Sequence, residues 1–237
     1  MPNAPKWIFD VAERLLPKLP LMEVAHLELL SPSVRKIRFS GDFRNLNYKV
    51  GSYIDFRVGE KEVRRYTASY ADNKNGILEL IVHLHGEGSG SKFMKNLKVG
   101  DKVDNNQPRT YRYYDESAEK LVIFGDETSL GLARSFLPVL KKNNQKFKFI
   151  FELDDENKAI PELLGLENCI VFPKKGSFRK EEWVSELPII KTLDWQEANF
   201  VLTGNVKSAQ TFRRVIKAKT NGNVYLHGYW LEGKNGL

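Results

Sequence analysis

The stretch Leu121-Val122-Ile123-Phe124-Gly125-Asp126-Glu127-Thr128-Ser129-Leu130-Gly131-Leu132-Ala133 decides the fold. Four consecutive apolar residues suit a short strand buried on both faces. A turn of small and polar residues follows, and from Leu130 to Leu140 apolar residues recur at helical spacing. Strand, short turn and helix in this order mark the place where an open parallel sheet binds a nucleotide, outside the carboxyl ends of its strands. The segment lacks the GxGxxG fingerprint. Downstream the pattern repeats, with apolar runs at 147–151, 169–172, 200–202 and 224–226 alternating with helical segments at 160–164 and 208–217. That alternation predicts an α/β doubly wound lobe. Thr203-Gly204-Asn205 repeats the strand-then-turn placement, with Lys207 beyond it as either a phosphate ligand or a surface lysine.

Upstream the character differs. Short alternating runs at 23–30, 34–39, 52–58, 63–70 and 77–84, and a weaker one from about Lys102, are separated by turn chemistry such as Ser31-Pro32-Ser33 and Gly59-Glu60-Lys61. Short, evenly spaced strands predict an antiparallel barrel. The polar stretch 115–120 carries no apolar period and joins the two halves, so lobes are expected at 20–117 and 118–237. Residues 1–19 read as an amphipathic helix (Trp7, Ile8, Val11, Leu15, Leu16) ended by Pro17 and Pro20 and packed onto the body of the protein. No internal repeat is visible.

Composition narrows the classes. At 237 residues, 41% hydrophobic and 28% charged, the chain is long enough to bury a core and too ordinary for a disordered or fibrous class. The balance of 37 basic and 30 acidic residues gives +7, which favours anionic partners. The basic residues are scattered, however, and doublets such as Lys174-Lys175 read as solvated faces, so no nucleic-acid partner is expected. Cys169 is the only cysteine. A disulfide, a four-Cys zinc site or a Cys-ligated iron–sulfur cluster therefore cannot form within this chain, and the residue reads as a small hydrophobe in a buried strand. No apolar run approaches the roughly 18 residues of a spanning helix, and the start has no signal-peptide core, so a cytoplasmic protein, expected to be a monomer, is the default.

Two constellations in the barrel half carry chemistry. In Arg64-Arg65-Tyr66-Thr67-Ala68-Ser69 the strand period puts Arg64 and Tyr66 on one face and Thr67 on the other, which suits a flat, phosphate-bearing ligand or a solvated pair. In His85-Gly86-Glu87-Gly88-Ser89-Gly90-Ser91-Lys92-Phe93 a strand runs into a glycine-rich turn and a helix start. Backbone N–H groups and the positive helix end can cradle a phosphate there, with Ser91 as the cap; an ordinary glycine turn would read the same. His83 and His85 share a face, but no third ligand lies close in sequence, so no metal is expected.

Arg64-x-Tyr66-Thr67, the turn from His85 to Ser91, Gly125-Asp126-Glu127-Thr128 and the C-terminal Gly228-Tyr229-Trp230-x-x-Gly233 together resemble the siderophore-interacting proteins, a branch of the ferredoxin-reductase-like flavoproteins. All four occur in that family's order over roughly residues 22–235. The resemblance implies a two-domain α+β protein, an antiparallel β-barrel that binds FAD followed by an α/β domain that binds NAD(P)H, and reduction of ferric siderophores. By the same resemblance Tyr66 stacks on the isoalloxazine and Thr67 lies near its reactive nitrogen. Arg64, Gly86, Gly88, Gly90 and Ser91 hold the pyrophosphate, His85 lies beside the flavin, and Tyr229 with Trp230 closes over it. Asp126, Glu127, Thr128, Ser129 and Gly204 line the pyridine-nucleotide cleft. Two positions depart from the family. Ser69 stands where an arginine is usual, so one flavin-phosphate contact is either missing or supplied by Arg65 or Lys92. Leu231 stands where a basic residue is common, so recognition of the anionic chelate either differs here or uses Arg109, Arg112 or Lys234. The rival readings are a flavin reductase with another acceptor (free flavin, a quinone or an electron-transfer protein) and a non-enzymatic basic module that binds nucleic acid through Tyr53, Tyr66, Tyr111 and Tyr113.

Overall fold

A computed structural model describes residues 21–111 and 113–234. The expected N-terminal helix and Arg112 lie outside the described residues. The chain parts into two compact units between Tyr111 and Arg112. The 115–120 stretch belongs to the second unit, where Gln145 Nε2 donates to the Asp115 carbonyl at 3.1 Å.

The first unit contains β1 (Met22–Ser31), β2 (Val34–Ser40), β3 (Tyr53–Arg57), β4 (Val63–Asp72), β5 (Ile77–His83), α1 (Ser89–Asn96) and β6 (Lys102–Val103). The strands form one antiparallel sheet in the order β3-β4-β5-β2-β1-β6. Ile54 and Phe56 on one edge strand share a single core with Val103 on the other, as a sheet rolled into a barrel requires. Local chemistry sets the turns. Ser31 Oγ accepts from the Ser33 and Val34 amides to close β1 onto β2, and Asp72 Oδ1 accepts from the Lys74 and Asn75 amides before β5. Gly76 completes that second turn at φ +65°, where a Cβ would lie 2.3 Å from the Gly41 carbonyl oxygen. From β2, Arg35 donates to the Met94, Lys95 and Leu97 carbonyls at 2.8–3.1 Å, which satisfies the carbonyl end of α1 and fixes where its other end stands.

The second unit contains β7 (Lys120–Gly125), a 3-10 turn (Glu127–Ser129), α2 (Leu130–Lys142), β8 (Lys146–Leu153), α3 (Ile160–Leu163), β9 (Cys169–Pro173), α4 (Glu181–Ser185), α5 (Pro188–Lys191), β10 (Asn199–Leu202), α6 (Val206–Lys219) and β11 (Val224–Leu226). All five strands are parallel, in the order β11-β10-β7-β8-β9. The strand order reverses between β7 and β10, so this is the topological switch point. Fully buried Phe124, Phe178, Phe200 and Phe212 anchor one core, each contributing about 1.5–3 kcal/mol by leaving water; the Phe124 and Phe178 rings are 4.6 Å apart. Cys169 departs from expectation. It is half-buried because β9 is an edge strand, and burial pushes its thiol up to about 11. No helix among the described residues is long and apolar enough to cross a membrane.

Candidate functional site

In the first unit the two predicted constellations meet. β3 and β4 pair Ile54 with Tyr66 and Phe56 with Arg64, so Tyr66 and Arg64 take the core side of β4 while Arg65 and Thr67 take the outer side. The Tyr66 ring stands edge-on to Phe56 at 5.6 Å, and burial pushes its phenol above the ordinary tyrosine value. Arg64 is held at the base of this face, donating to the Val63 carbonyl at 2.9 Å and facing Glu62 Oε1 at 3.4 Å.

Directly against them lies the start of α1. A Cβ on Gly90 would fall 2.7 Å from the Tyr66 hydroxyl oxygen and 3.0 Å from Arg64 Cγ, so glycine is what lets the helix backbone approach the pair. Around Gly86 (φ +61°) and Gly88 there is open space. The helix begins at Gly88 with no side-chain cap, and Ser89 Oγ is buried without a hydrogen-bond partner. Uncapped amides, an orphaned hydroxyl and a neighbouring guanidinium together form an anion cradle, and this set fits the diphosphate of FAD. One expectation is corrected: Ser91 does not cap the helix. It is the third residue of α1 and turns its hydroxyl back to the His85 carbonyl at 2.8 Å, bracing the turn. His85 is exposed, 5.3 Å from the His83 ring.

Ser69 sits at a β-bulge in β4, buried, with its hydroxyl on the Glu79 carbonyl at 3.0 Å. Both suggested substitutes for an arginine there have partners of their own. Arg65 donates to Tyr111 Oη at 2.8 Å and to Asp55, and Lys92 pairs with Glu87 at 2.9 Å. Arg109 is likewise engaged, ion-paired with Asp55 and 5.2 Å over the Tyr53 ring. Tyr53 and Tyr111 stack on each other at 4.8 Å, and Tyr113, in the second unit, is buried beside His227.

In the second unit the other predicted residues gather at the switch point. Asp126 is fully buried and caps the 3-10 turn, accepting from the Thr128 amide at 2.9 Å and hydroxyl at 2.5 Å, while its second oxygen accepts the Trp230 indole N–H at 2.6 Å. Gly204 (φ +79°) faces it so closely that a Cβ would lie 2.9 Å from the Asp126 amide nitrogen, and its carbonyl accepts the Tyr229 amide at 2.8 Å. Ser129 is buried against Thr203 Oγ1 at 2.8 Å, and a Cβ on Gly125 would overlap its hydroxyl. Glu127 is fully buried. Its carboxylate accepts from the Asp154 amide at 2.7 Å and Asn157 Nδ2 at 3.0 Å and pairs with Lys174. Asp126, Glu127 and Ser129 therefore build the walls of the crevice through contacts within the lobe. Lys174, read from sequence as solvated, is drawn in by Glu127 and lies 5.5 Å from the Trp230 ring. Lys234, after Leu231, is exposed.

Beside the crevice opens a cleft of about 360 Å³ lined by Glu152, Lys174, Lys175, Arg179, Asn205 and Trp230, among others. Glu152 was not anticipated. Burial pushes its carboxyl up to about 7, with the neighbouring Asp126 acting the same way, against the pull of Ser208, Lys174 and Arg179. The available signal was a single carboxylate near the carboxyl end of the otherwise apolar run 149–153. Asn205 caps α6, accepting from the Lys207 and Ser208 amides at 2.9 and 3.3 Å.

Residues 21–114 match the oxidoreductase FAD-binding domain family. No curated protein matches the chain in sequence. Among solved structures, the siderophore-interacting protein SipS from Aeromonas hydrophila is similar with a TM-score of 0.73 and 20% identity, over 92% of this chain and 93% of that one. Phthalate dioxygenase reductase, described as a modular structure for electron transfer from pyridine nucleotides to a 2Fe–2S centre, is similar with a TM-score of 0.73 and 15% identity, over 91% of this chain and 69% of that one. An intact type IV self-sufficient cytochrome P450 monooxygenase is similar with a TM-score of 0.73 and 16% identity over 90% of this chain, which spans only 28% of that protein. These likenesses establish the ferredoxin-reductase-like fold, an FAD-binding-type antiparallel lobe followed by a parallel α/β lobe.

Proposed function

We propose that this chain is a flavin-dependent oxidoreductase that passes electrons from NAD(P)H to a ferric siderophore and so frees the iron as Fe(II). The observation that carries the reading is the anion cradle at Gly90, which lies within the segment that matches FAD-binding domains and stands against Arg64 and Tyr66. Bound FAD supplies the conversion of a hydride's electron pair into single electrons. The protein's own part is binding and alignment. Arg64 and the uncapped amides of α1 hold the diphosphate, Tyr66 offers a ring for the flavin, and Thr67 stands on the other side of β4. In the second lobe Gly125 and Gly204 let Ser129 and Asp126 pack closely at the ends of β7 and β10, where the pyridine nucleotide is proposed to bind, and Asp126 orients Trp230 beside them.

With one cysteine in the chain, electrons leave the flavin for an external acceptor rather than for a cluster within it. A ferric siderophore suits that role because hard oxygen donors hold Fe(III) far better than Fe(II), so one electron loosens the chelate. The likeness to the A. hydrophila protein, which spans nearly the whole of both chains, favours this acceptor. Of the cations expected to attract the anionic chelate, Lys234 is exposed, whereas Arg109 is already paired with Asp55 and Arg112 lies outside the described residues. The second reading, a reductase of a separate electron-transfer partner, is favoured by the likeness to phthalate dioxygenase reductase. Steady-state assays with NADH or NADPH and matched concentrations of ferric siderophores, free flavin, a quinone and a ferredoxin separate the two. The proposal expects the ferric chelates to have the highest kcat/KM and fails if another acceptor exceeds them tenfold.

A further inference from the structure

Along β1 the first lobe keeps two aliphatic side chains in water. Leu29, in the strand, is 67% exposed, and Val99, in the turn between α1 and β6, is 64% exposed. Half-buried Leu27, two residues before Leu29 and on the same side of the strand, continues the apolar surface. Both exposed residues stand on pinned backbone. Arg35, the register partner of Leu29 on β2, holds the carbonyl end of α1, and from there residues 94–101 run back along β1 to Val24. The Asp101 carboxylate accepts the Lys98 amide at 2.8 Å and closes the turn. The Val24 amide donates to the Asp101 carbonyl, and the Val24 carbonyl accepts the Gly100 amide, both at 2.9 Å. A loose turn would fold its valine inward; this one is clamped on both sides and holds Val99 out.

Lysines flank the same segment. Lys95, Lys98 and Lys102 are exposed, and none of them makes an ion pair with a described residue. The nearby carboxylates are Asp101, turned to the Lys98 amide, Glu23, the register partner of Lys102, and Glu87, paired with Lys92. Elsewhere in the lobe arginines are occupied, Arg38 by Glu79, Arg44 by Asp42 and Arg65 by Asp55. Aliphatic side chains gain by leaving water, and unpaired lysines gain at a negative surface. A membrane interface with anionic headgroups answers both at once. We propose that this side of the first lobe docks on an anionic lipid surface, with Leu29 and Val99 entering the headgroup layer and Lys95, Lys98 and Lys102 meeting the lipid phosphates. A protein partner would need a separate pocket for each aliphatic side chain inside an acidic rim, whereas a lipid interface deforms around both. The surface lies at the carbonyl end of α1, about 12 Å along this eight-residue helix from the amides of the anion cradle, so docking leaves the cradle open. The inference does not depend on the proposed reaction.

Sedimentation of the full chain with vesicles of phosphatidylcholine, alone or mixed equally with phosphatidylglycerol, tests this. The proposal expects binding to the mixed vesicles that weakens as salt is raised, and none to phosphatidylcholine alone. Leu29→Ser and Val99→Ser should each weaken binding about tenfold, and Lys95→Gln and Lys98→Gln about fivefold each. All four positions are exposed, so each variant should keep the wild-type melting midpoint and flavin content. Val99→Trp should tighten binding severalfold, because indole favours the interface, and misfolding cannot mimic that gain. No binding to the mixed vesicles, or binding that both serine variants leave unchanged, overturns the inference. The second result, together with retention of the chain on immobilised polyglutamate, would assign the lysines to an acidic protein instead. A chain that binds the vesicles as expected yet takes up no FAD would keep this surface and lose the flavin reading.

Discussion

Replacing Lys174 with Met isolates the ion pair that braces the nucleotide lobe. Glu127 is fully buried, the Lys174 side chain is 17% exposed, and the two are in contact. Removing the cation leaves a buried carboxylate held by neutral donors, among them the Asp154 amide and Asn157 Nδ2. Breaking one partner of a buried pair costs about 3–5 kcal/mol, chiefly because the remaining charge cannot regain water. These surviving hydrogen bonds place this case near 3 kcal/mol, the lower end of that range. For a lobe the size of Arg112–Lys234 that lowers the unfolding midpoint by about 10–15 °C. Differential scanning calorimetry of wild type, Lys174→Met, Glu127→Gln and the double variant measures the effect and the coupling. The double variant, which buries no unpaired charge, should recover most of the loss. A Lys174→Met protein within about 0.5 kcal/mol of wild type would refute the reasoning, since that is the range of an ordinary surface substitution.

Arg64→Ala removes a charge-assisted phosphate contact and should weaken FAD retention by about 1.5–3 kcal/mol, read as flavin content after gel filtration. Tyr66→Ala should weaken it comparably by removing the stacking ring; unchanged flavin content in both would displace the site. Glu152 makes stability depend on pH. The unfolded carboxyl titrates near 4.5 and the folded one near 7, so between these values only the folded chain holds the proton, and stability falls as pH rises towards 7. The full loss is about 3 kcal/mol, and Glu152→Gln should abolish it, unfolding in urea at the same midpoint at pH 5 and pH 8; a wild type with that flat profile contradicts the assignment. With a net charge of +7, the rate at low concentrations of anionic chelate should fall as salt is raised from 20 to 200 mM, and a rate indifferent to salt would remove the steering argument.

Hydrophobic periodicity made both lobes legible, because strands buried on two faces read as apolar runs and the barrel strands alternate between turns. Pairing across distance did not show. Glu127 and Lys174 are 47 residues apart, and only the sheet order, with β8 and β9 laid beside β7, brings them together. The same order makes β9 an edge strand, which is why Cys169 is half-buried although its neighbours are as apolar as those of a central strand. The short helices α4 and α5 are too brief to show a helical period, yet Val184, Ile189 and Ile190 belong to the core. In the cradle the glycines and Arg64 were readable because each answers to a local geometric need. The direction of the Ser91 hydroxyl depends on where the chain folds back to His85 and was not.

The central claim meets its most direct test in one anaerobic cuvette: the visible spectrum of the purified chain with FAD, then with NADH or NADPH, then with a ferric siderophore. The account predicts flavin bands that bleach with the nucleotide and return with the chelate as Fe(II) is captured by an indicator. A protein that takes up no FAD, or whose flavin bands stay unchanged by either nucleotide, contradicts it.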